Sequence, residues 1–278
     1  SGVLYSKVDG TLYLEGIVGQ TTGNARGAGA IDLQTSRSAA TQVASGANAV
    51  ALGYRNTASG AQSFAAGFTN TASTGYATAL GYSSTASGTN GSLAVGNACI
   101  ASGESSFAQG AQSQATGSWT CAIGIYTSAI NRGQFSCGYG PGLGQAQTSI
   151  QNFYTATTDA TATILNIGNS SSNRLVVPAK RAIAFYGLVS AYSDATDGYK
   201  VKSWEIKGVI ERNASNTTRI VGTPTITELA ADAEASGWAI TSISANDTNE
   251  SLSINVTGEA ATNIRWGASL FYNQLGYA

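Results

Sequence analysis

The chain has 278 residues, a length that suits one large domain or two of ordinary size. Only 10% of the residues are charged and the formal net charge is −1, so the composition shows no electrostatic signature of binding to nucleic acid or to an anionic membrane. Histidine is absent, which removes the commonest general base and the commonest metal ligand of proteins. No apolar run of about 20 residues is present, so we expect no membrane insertion.

Residues 1–25 predict a β-hairpin and a docking segment. Apolar and polar residues alternate on both sides of Asp9-Gly10, and an Asp-Gly pair between alternating runs is a strong hairpin signal. The chain has no methionine and opens on Ser1-Gly2, which looks like a cloning scar. We therefore expect the C-terminal part of a longer protein, with the hairpin docking onto the part upstream.

Residues 26–138 contain a repeat of about 14 residues. Each unit closes on a glycine, and one extra residue falls near Asn90-Gly91. Two positions before that glycine stands alanine or serine, flanked on both sides by mostly larger apolar residues. Alternation with a period of two predicts a strand with two different faces, and the content of Gly, Ser, Thr and Asn argues against a helix. Fourteen residues suit one coil of a parallel β-solenoid, with two short strands and two tight turns. The closing glycines are Gly53, Gly67, Gly81, Gly96, Gly110, Gly124 and Gly138.

The larger apolar residues of the repeat predict a trimer. A coil this short encloses only small side chains, so its outer apolar face must be buried elsewhere, and three chains around a threefold axis would bury it. A monomeric solenoid with a covering element is the alternative. Gln109 replaces an aliphatic residue: three copies would meet at the axis, unless this position faces solvent. The predicted trimer and roll core consists of Val50, Leu52, Phe64, Leu80, Leu93, Val95, Phe107, Ile123 and Phe135.

The repeat words resemble those of a known family. ANAVALG, GSLAVG and SSFAQG, with ASG between them, are similar to the head repeats of trimeric autotransporter adhesins, and residues 26–46 resemble the lead-in to such repeats in bacteriophage tail fibres. The resemblance implies a left-handed parallel β-roll that is three chains wide. It also implies a homotrimeric assembly.

The remaining sequence predicts a neck and a second domain. GYGPGLG breaks the composition after the last repeat, and residues 139–158 are interpreted as a neck or linker. Residues 159–278 hold longer β-rich runs separated by polar turns, which is typical of an antiparallel β-sandwich. Trp204, Trp238 and Trp266 are assigned to its core. This segment resembles the β-rich C-terminal domains of phage tail proteins. The predicted fold is all-β, a trimeric β-roll followed by a sandwich-like tip domain.

The sequence offers little for catalysis. A glycosidase needs two carboxylates, and Glu104 is the single acid between Leu33 and Thr158. Without histidine, no Ser-His or Cys-His pair can form, and no glycine-rich phosphate loop of the expected form occurs. The three cysteines are odd in number and lack CxxC spacing, so they indicate neither a disulfide framework nor a zinc site. We expect no enzyme, cofactor or metal. Calcium at the Asp194–Gly198 turn is the alternative to a plain turn.

Binding is the more plausible role. Carbohydrate sites pair an aromatic platform with amides and carboxylates. Tyr192 and Tyr199 flank a polar turn, and the predicted receptor site joins them to carboxylates and amides on neighbouring loops, namely Asp194, Asp197, Asn246 and Asn249.

These features predict a homotrimeric phage tail fibre, located in the virion tail, that adheres to a bacterial surface glycan or outer-membrane component. Its other partners would be upstream tail or baseplate proteins. Two alternatives remain open: a passenger fragment of a trimeric autotransporter adhesin, and a structural connector or trimerisation domain without a receptor role.

Overall fold

The computed structural model describes residues 3–6, 12–15, 24–170 and 172–277. The chain divides into two compact units, residues 1–116 and 117–278. Apart from three single turns of 3-10 helix, the regular structure of the described residues is β-strand. No helix of that part is long and apolar enough to cross a membrane.

The first unit begins with an antiparallel pair of strands. Strands β1 (Val3–Ser6) and β2 (Leu12–Glu15) pair with Val3 opposite Glu15, as expected for a hairpin. The predicted Asp9-Gly10 turn lies outside the described residues. Strand β3 (Ile31–Gln34) then pairs in parallel with the first strand of the repeat.

The repeat of the first unit is a parallel β-solenoid. Each coil contributes one strand of five residues and one of two residues, and the register confirms the 14-residue spacing, with Val50 opposite Phe64. The extra residue near Asn90-Gly91 widens one step to 15, from Thr78 to Leu93. In chain order the strands are β4 (Val50–Tyr54), β5 (Thr57–Ala58), β6 (Phe64–Phe68), β7 (Thr71–Ala72), β8 (Thr78–Tyr82), β9 (Thr85–Ala86), β10 (Leu93–Asn97), β11 (Ile100–Ala101), β12 (Phe107–Ala111) and β13 (Gln114–Ala115).

The interior of these coils contains almost only small side chains. Two alanine columns run along it, one from each kind of strand, and every member is fully buried. Because the coil is narrow, alanine fills the interior completely and a larger side chain would not fit. The prediction of one small face is therefore confirmed. The columns consist of Ala51, Ala65, Ala79, Ala94 and Ala108, and of Ala58, Ala72, Ala86, Ala101 and Ala115.

A column of buried polar side chains joins successive coils. The Asn70 Nδ2 group donates to the carbonyls of Ala66 (2.9 Å) and Gly81 (2.7 Å), and its Oδ1 accepts from the Ser84 backbone N–H at 2.9 Å. Asn56 makes the same contacts one coil earlier. Cys99 continues the column, and burial raises the pKa of its thiol. These side chains satisfy backbone groups that the tight turn leaves without partners.

The solenoid of the first unit begins with a polar cap. Asp32 stands opposite Ala51, in the column of small side chains, and is buried. Its carboxylate accepts from the Ala44 backbone N–H and from Gln34, and it forms an ion pair with Arg37. A terminal coil has no preceding coil to satisfy its polar groups, so these side chains do so.

The second unit starts with the same coil pattern. Strands β14 (Cys121–Ile125), β15 (Ser128–Ala129) and β16 (Phe135–Tyr139) repeat it, with β14 and β16 parallel. Strand β17 (Ala146–Thr157) then pairs antiparallel with β16. Residues 146–157, which the sequence assigned to a neck, thus form a strand of a sheet. They do so because their alternating pattern buries every second side chain.

The rest of the second unit is a sandwich of two antiparallel sheets. The larger sheet has the order β22-β21-β20-β25-β17, and in the smaller one β24 pairs with β18, β19 and β23. The 3-10 turns cover Ile167–Asn169, Ala195–Asp197 and Ala233–Ala235. The strands after β17 are β18 (Thr163–Ile164), β19 (Leu175–Val176), β20 (Arg181–Ser193), β21 (Val201–Arg212), β22 (Thr218–Ala231), β23 (Ala239–Asn246), β24 (Ser251–Thr257) and β25 (Ile264–Gly276).

The core of the sandwich lies between its two sheets and is rich in tryptophan. Trp204, Trp238 and Trp266 are all buried, as the sequence predicts. Trp266 stacks on Trp204 with ring centroids 5.6 Å apart, and its Nε1–H donates to the Thr157 hydroxyl at 2.9 Å. This cluster packs against one end of the larger sheet.

Candidate functional site

One open cavity lies on the outer face of the larger sheet, at the end that the tryptophan cluster supports. Its volume is about 550 Å³. It is bordered by the C-terminal ends of β17 and β20, by the start of β25 and by the turn that follows β20. The lining residues are Tyr154, Ala156, Thr157, Thr158, Tyr192, Ser193, Asp194, Ala195, Tyr199, Asn263, Ile264 and Arg265.

The floor of the cavity is a cross-strand row on three neighbouring strands. Arg265 of β25 stands opposite Ala156 of β17 on one side and opposite Tyr192 of β20 on the other. All three side chains are exposed, because the strands alternate strictly between core and solvent. In the next row Tyr154 stands opposite Gly267, above which the space is open.

The turn after β20 forms one wall. The Asp194 Oδ1 atom accepts hydrogen bonds from the backbone N–H groups of Thr196 (2.9 Å) and Asp197 (3.2 Å), an arrangement typical of an aspartate before a helical turn. Tyr199 has a positive φ of 57°, which turns its ring back toward β20. The rings of Tyr192 and Tyr199 stack with centroids 5.9 Å apart and planes 22° apart, and both side chains are about half exposed.

Asn263 ties this wall to β25. Its backbone N–H donates to the Asp197 Oδ2 atom at 2.9 Å, and its Nδ2 group donates to the Asp194 Oδ2 atom at 3.2 Å. Both carboxylates therefore already hold protein donors. The described residues contain no group of three or more Cys, Asp or Glu that could hold a metal ion.

The structure brings together four of the six predicted receptor-site residues. Tyr192, Asp194 and Tyr199 line the cavity, and Asp197 is bonded to its wall. Asn246 and Asn249 do not line it. They occupy the turn between β23 and β24, which contacts the start of β22 through Asp247 and Thr218. That turn lies at the opposite end of β21 from the cavity.

Among the lining residues that the sequence prediction missed, Tyr154, Asn263 and Arg265 contribute the aromatic and polar side chains. Alternation around Ile264 and Trp266 could have placed Arg265 on an exposed face. Nothing local indicates that β25 lies between β17 and β20, so the juxtaposition was not predictable.

A second surface of interest is the outer apolar face of the coils. The residues predicted for the trimer and roll core are only partly buried, and Phe135 is 40% exposed. In the first unit Val50, Leu52 and their successors stand on either side of the buried alanines. Gln109 lies in this face opposite Val95 and is exposed.

The second unit carries a similar apolar row. Phe135 of β16 stands opposite Ile150, Ile150 opposite Phe271, and Phe271 opposite Tyr186. All four side chains are on the outer face, and Tyr186 stacks on Phe271 at 5.4 Å. A row of large apolar residues across four strands is unusual for a solvent-facing sheet.

The aromatic ladder of the first unit is not a sugar platform. Tyr54, Phe68 and Tyr82 stack at 4.8 Å and 5.1 Å along the coils, with planes within 9° of parallel. Each ring covers the face of its neighbour, so mainly edges remain for a ligand. The ladder therefore joins coils rather than offering flat faces to a sugar.

Comparison with known proteins agrees with the repeat. Residues 44–69, 75–98 and 101–118 match the model of the YadA head domain repeat, so the chain carries YadA-like head repeats. None of the curated proteins compared with the chain matches it.

Among solved structures, the tailspike protein of Acinetobacter phage vB_ApiP_P1 matches with 12% identity and a TM-score of 0.20. The match covers 91% of this chain and 55% of the tailspike chain, so this chain spans about half of that protein's length. A TM-score this low carries no argument about fold or function.

Proposed function

We propose that the chain is part of a homotrimeric phage tail fibre that adheres, without cleaving it, to a bacterial surface glycan through the cavity on its second unit. The observation that carries this proposal is the solenoid of YadA-like head repeats, whose outer apolar face is left half exposed by the single chain. Such a repeat builds an extended shaft rather than a pocket.

The exposed apolar faces favour a trimer. Removing apolar surface from water stabilises an assembly by about 25 cal/mol per Å². Both the coil face around Val50 and Leu52 and the row from Phe135 to Tyr186 would gain from this burial. Three copies of Gln109 would then face one another and hydrogen bond or hold water.

The cavity suits a sugar ring. Tyr154, Tyr192 and Tyr199 offer apolar ring surface, and Asn263, Asp194 and Arg265 offer polar groups beside it. A sugar presents the same combination of a flat apolar face and a polar edge. In a trimer, three weak sites of roughly millimolar affinity gain about 10²- to 10⁴-fold through multivalency.

Two alternative functions are compatible with the same head repeats. The head repeats also suit a passenger fragment of a trimeric autotransporter adhesin. The resemblance of residues 26–46 to phage fibres favours the tail fibre, with upstream tail or baseplate proteins as further partners and the virion tail as its location. A purely structural connector would have the same shaft and no receptor contact.

Replacing Tyr199 by asparagine tests the site. Asparagine tolerates the positive φ of this position, so the turn should keep its shape while the aromatic platform is lost. We expect binding of the labelled protein to host cells, measured by flow cytometry across a panel of bacterial strains, to fall by roughly tenfold or more because each of three sites is weakened.

Tyr76→Asn is the matched control. Tyr76 lies in the first unit, is similarly exposed (65% against 58% for Tyr199) and also has a positive φ, of 62°. Loss of binding with Tyr199→Asn together with unchanged binding of Tyr76→Asn would place the receptor contact at the cavity. Loss with Tyr76→Asn and not with Tyr199→Asn would move the receptor contact to the shaft, and no binding to any strain would favour the connector.

A further inference from the structure

The cavity contains a cation without a partner. The Arg265 side chain is exposed on the cavity floor, and its guanidinium forms no hydrogen bond or ion pair within the part of the chain that the structure describes. The ion pairs of that part instead involve Arg37, Lys202, Lys207, Arg212 and Arg219.

Unlike the Arg265 guanidinium, the carboxylates beside the cavity already have hydrogen-bond partners. Asp194 accepts from two backbone N–H groups and from Asn263, and Asp197 accepts from the Asn263 backbone. These bonds hold both carboxylates in place, and they use three acceptor sites of Asp194 and one of Asp197. The cavity is therefore polarised, with acceptors that already hold protein donors at the turn and five unused donors at the floor.

The surroundings of Arg265 leave room for a ligand. Its cross-strand neighbour on β17 is the small Ala156, and Gly267, two positions along β25, has open space above it. The third neighbour, Tyr192, provides a ring on the other side. A group that pairs with the guanidinium can thus keep an attached ring against the tyrosines.

We propose that the ligand of this cavity is a carboxylated sugar, with its carboxylate paired to Arg265 and its ring against Tyr192 and Tyr199. This rests on the proposed glycan adhesion and names the class of sugar. A guanidinium pairs with a carboxylate through two parallel hydrogen bonds, so it selects the acid and also orients it. Repulsion from Asp194 fixes the same orientation, because it directs the carboxylate to the floor and sugar hydroxyl groups to the turn.

The test uses three small probes on the intact chain. Methyl glucuronoside, methyl glucoside and glucose 6-phosphate are titrated by saturation-transfer NMR. We expect the glucuronoside to bind roughly tenfold more tightly than the glucoside, and the difference to shrink as ionic strength rises. Arg265→Gln should remove that difference and leave the weak binding of the glucoside intact. Arg219→Gln, at an exposed arginine of β22, should change neither the preference for the glucuronoside nor the binding of the glucoside.

The outcomes separate this inference from the proposed function. Equal binding of acid and neutral sugar with no effect of Arg265→Gln would overturn the acidic class while adhesion stands. Preference for glucose 6-phosphate over the glucuronoside would overturn it in favour of a phosphorylated sugar. Host-cell binding without binding of any probe also contradicts it. If the chain bound neither the sugar probes nor any host cells, the proposed function itself would be overturned.

Discussion

Replacing Gly81 by alanine is expected to destabilise the solenoid by about 3 to 5 kcal/mol. Gly81 has a φ of 107°, where side-chain-bearing residues are strained, and an added Cβ would lie 2.2 Å from the Gly96 carbonyl oxygen of the next coil. That oxygen belongs to the backbone, so the steric clash can be relieved only if the two coils move apart. Urea unfolding followed by circular dichroism measures the loss.

Gly75→Ala is the control for this change. Gly75 lies in the same coil, its φ is not positive, and an added Cβ would meet no atom closer than the Ala61 carbonyl oxygen at 3.7 Å. The free energy of unfolding of the Gly75→Ala variant should stay within about 0.5 kcal/mol of that of the original chain at the same protein concentration. Equal stability of the two variants would contradict the close stacking of coils at the repeated glycine.

Asn70→Ala is the second change with a large expected effect. The side chain is fully buried and joins three backbone groups, the carbonyls of Ala66 and Gly81 and the N–H of Ser84. Alanine leaves all three without partners where water cannot easily reach them. We expect a loss on the order of 2 to 5 kcal/mol in thermal or urea unfolding.

Two further variants sharpen this prediction. Asn70→Ser should lower the free energy of unfolding less than Asn70→Ala does. Ser84 occupies the same position one coil later, and its hydroxyl donates to the Gly96 carbonyl and accepts from the Cys99 N–H. Asn97→Ala removes an exposed asparagine of β10 and should change stability by less than about 0.5 kcal/mol. If Asn70→Ala were as mild as Asn97→Ala, the buried column would not stabilise the coils.

The solenoid could be predicted because its determinants are local. The alternation around Ala51 or Ala65 is visible within a single repeat, and the step between closing glycines is visible in two neighbouring repeats. The register follows from both. The role of Asn56 and Asn70 was not visible. An asparagine before a threonine indicates a turn equally well whether its side chain faces solvent or the interior, and only the stacked coils bury it.

The candidate site could be predicted only in part, for the opposite reason. Tyr192, Asp194 and Tyr199 lie in or beside one turn, so a local pattern identified them together. Arg265 and Tyr154 reach the same cavity from distant segments, because β25 inserts between β17 and β20. Sheet order is decided by packing between residues far apart in sequence, and a turn composition does not encode it.

The mass of the intact chain in solution, measured by multi-angle light scattering, distinguishes the trimer from a monomer. The half-exposed coil faces and the Phe135–Tyr186 row predict a particle of three times 28.2 kDa that persists on dilution. Leu80→Glu, which places a charge in the coil face, should lower the mass without unfolding the strands. A monomer of 28.2 kDa across all concentrations would rule out the trimer, because the apolar faces would then have no partner and the multivalent adhesion would lose its basis.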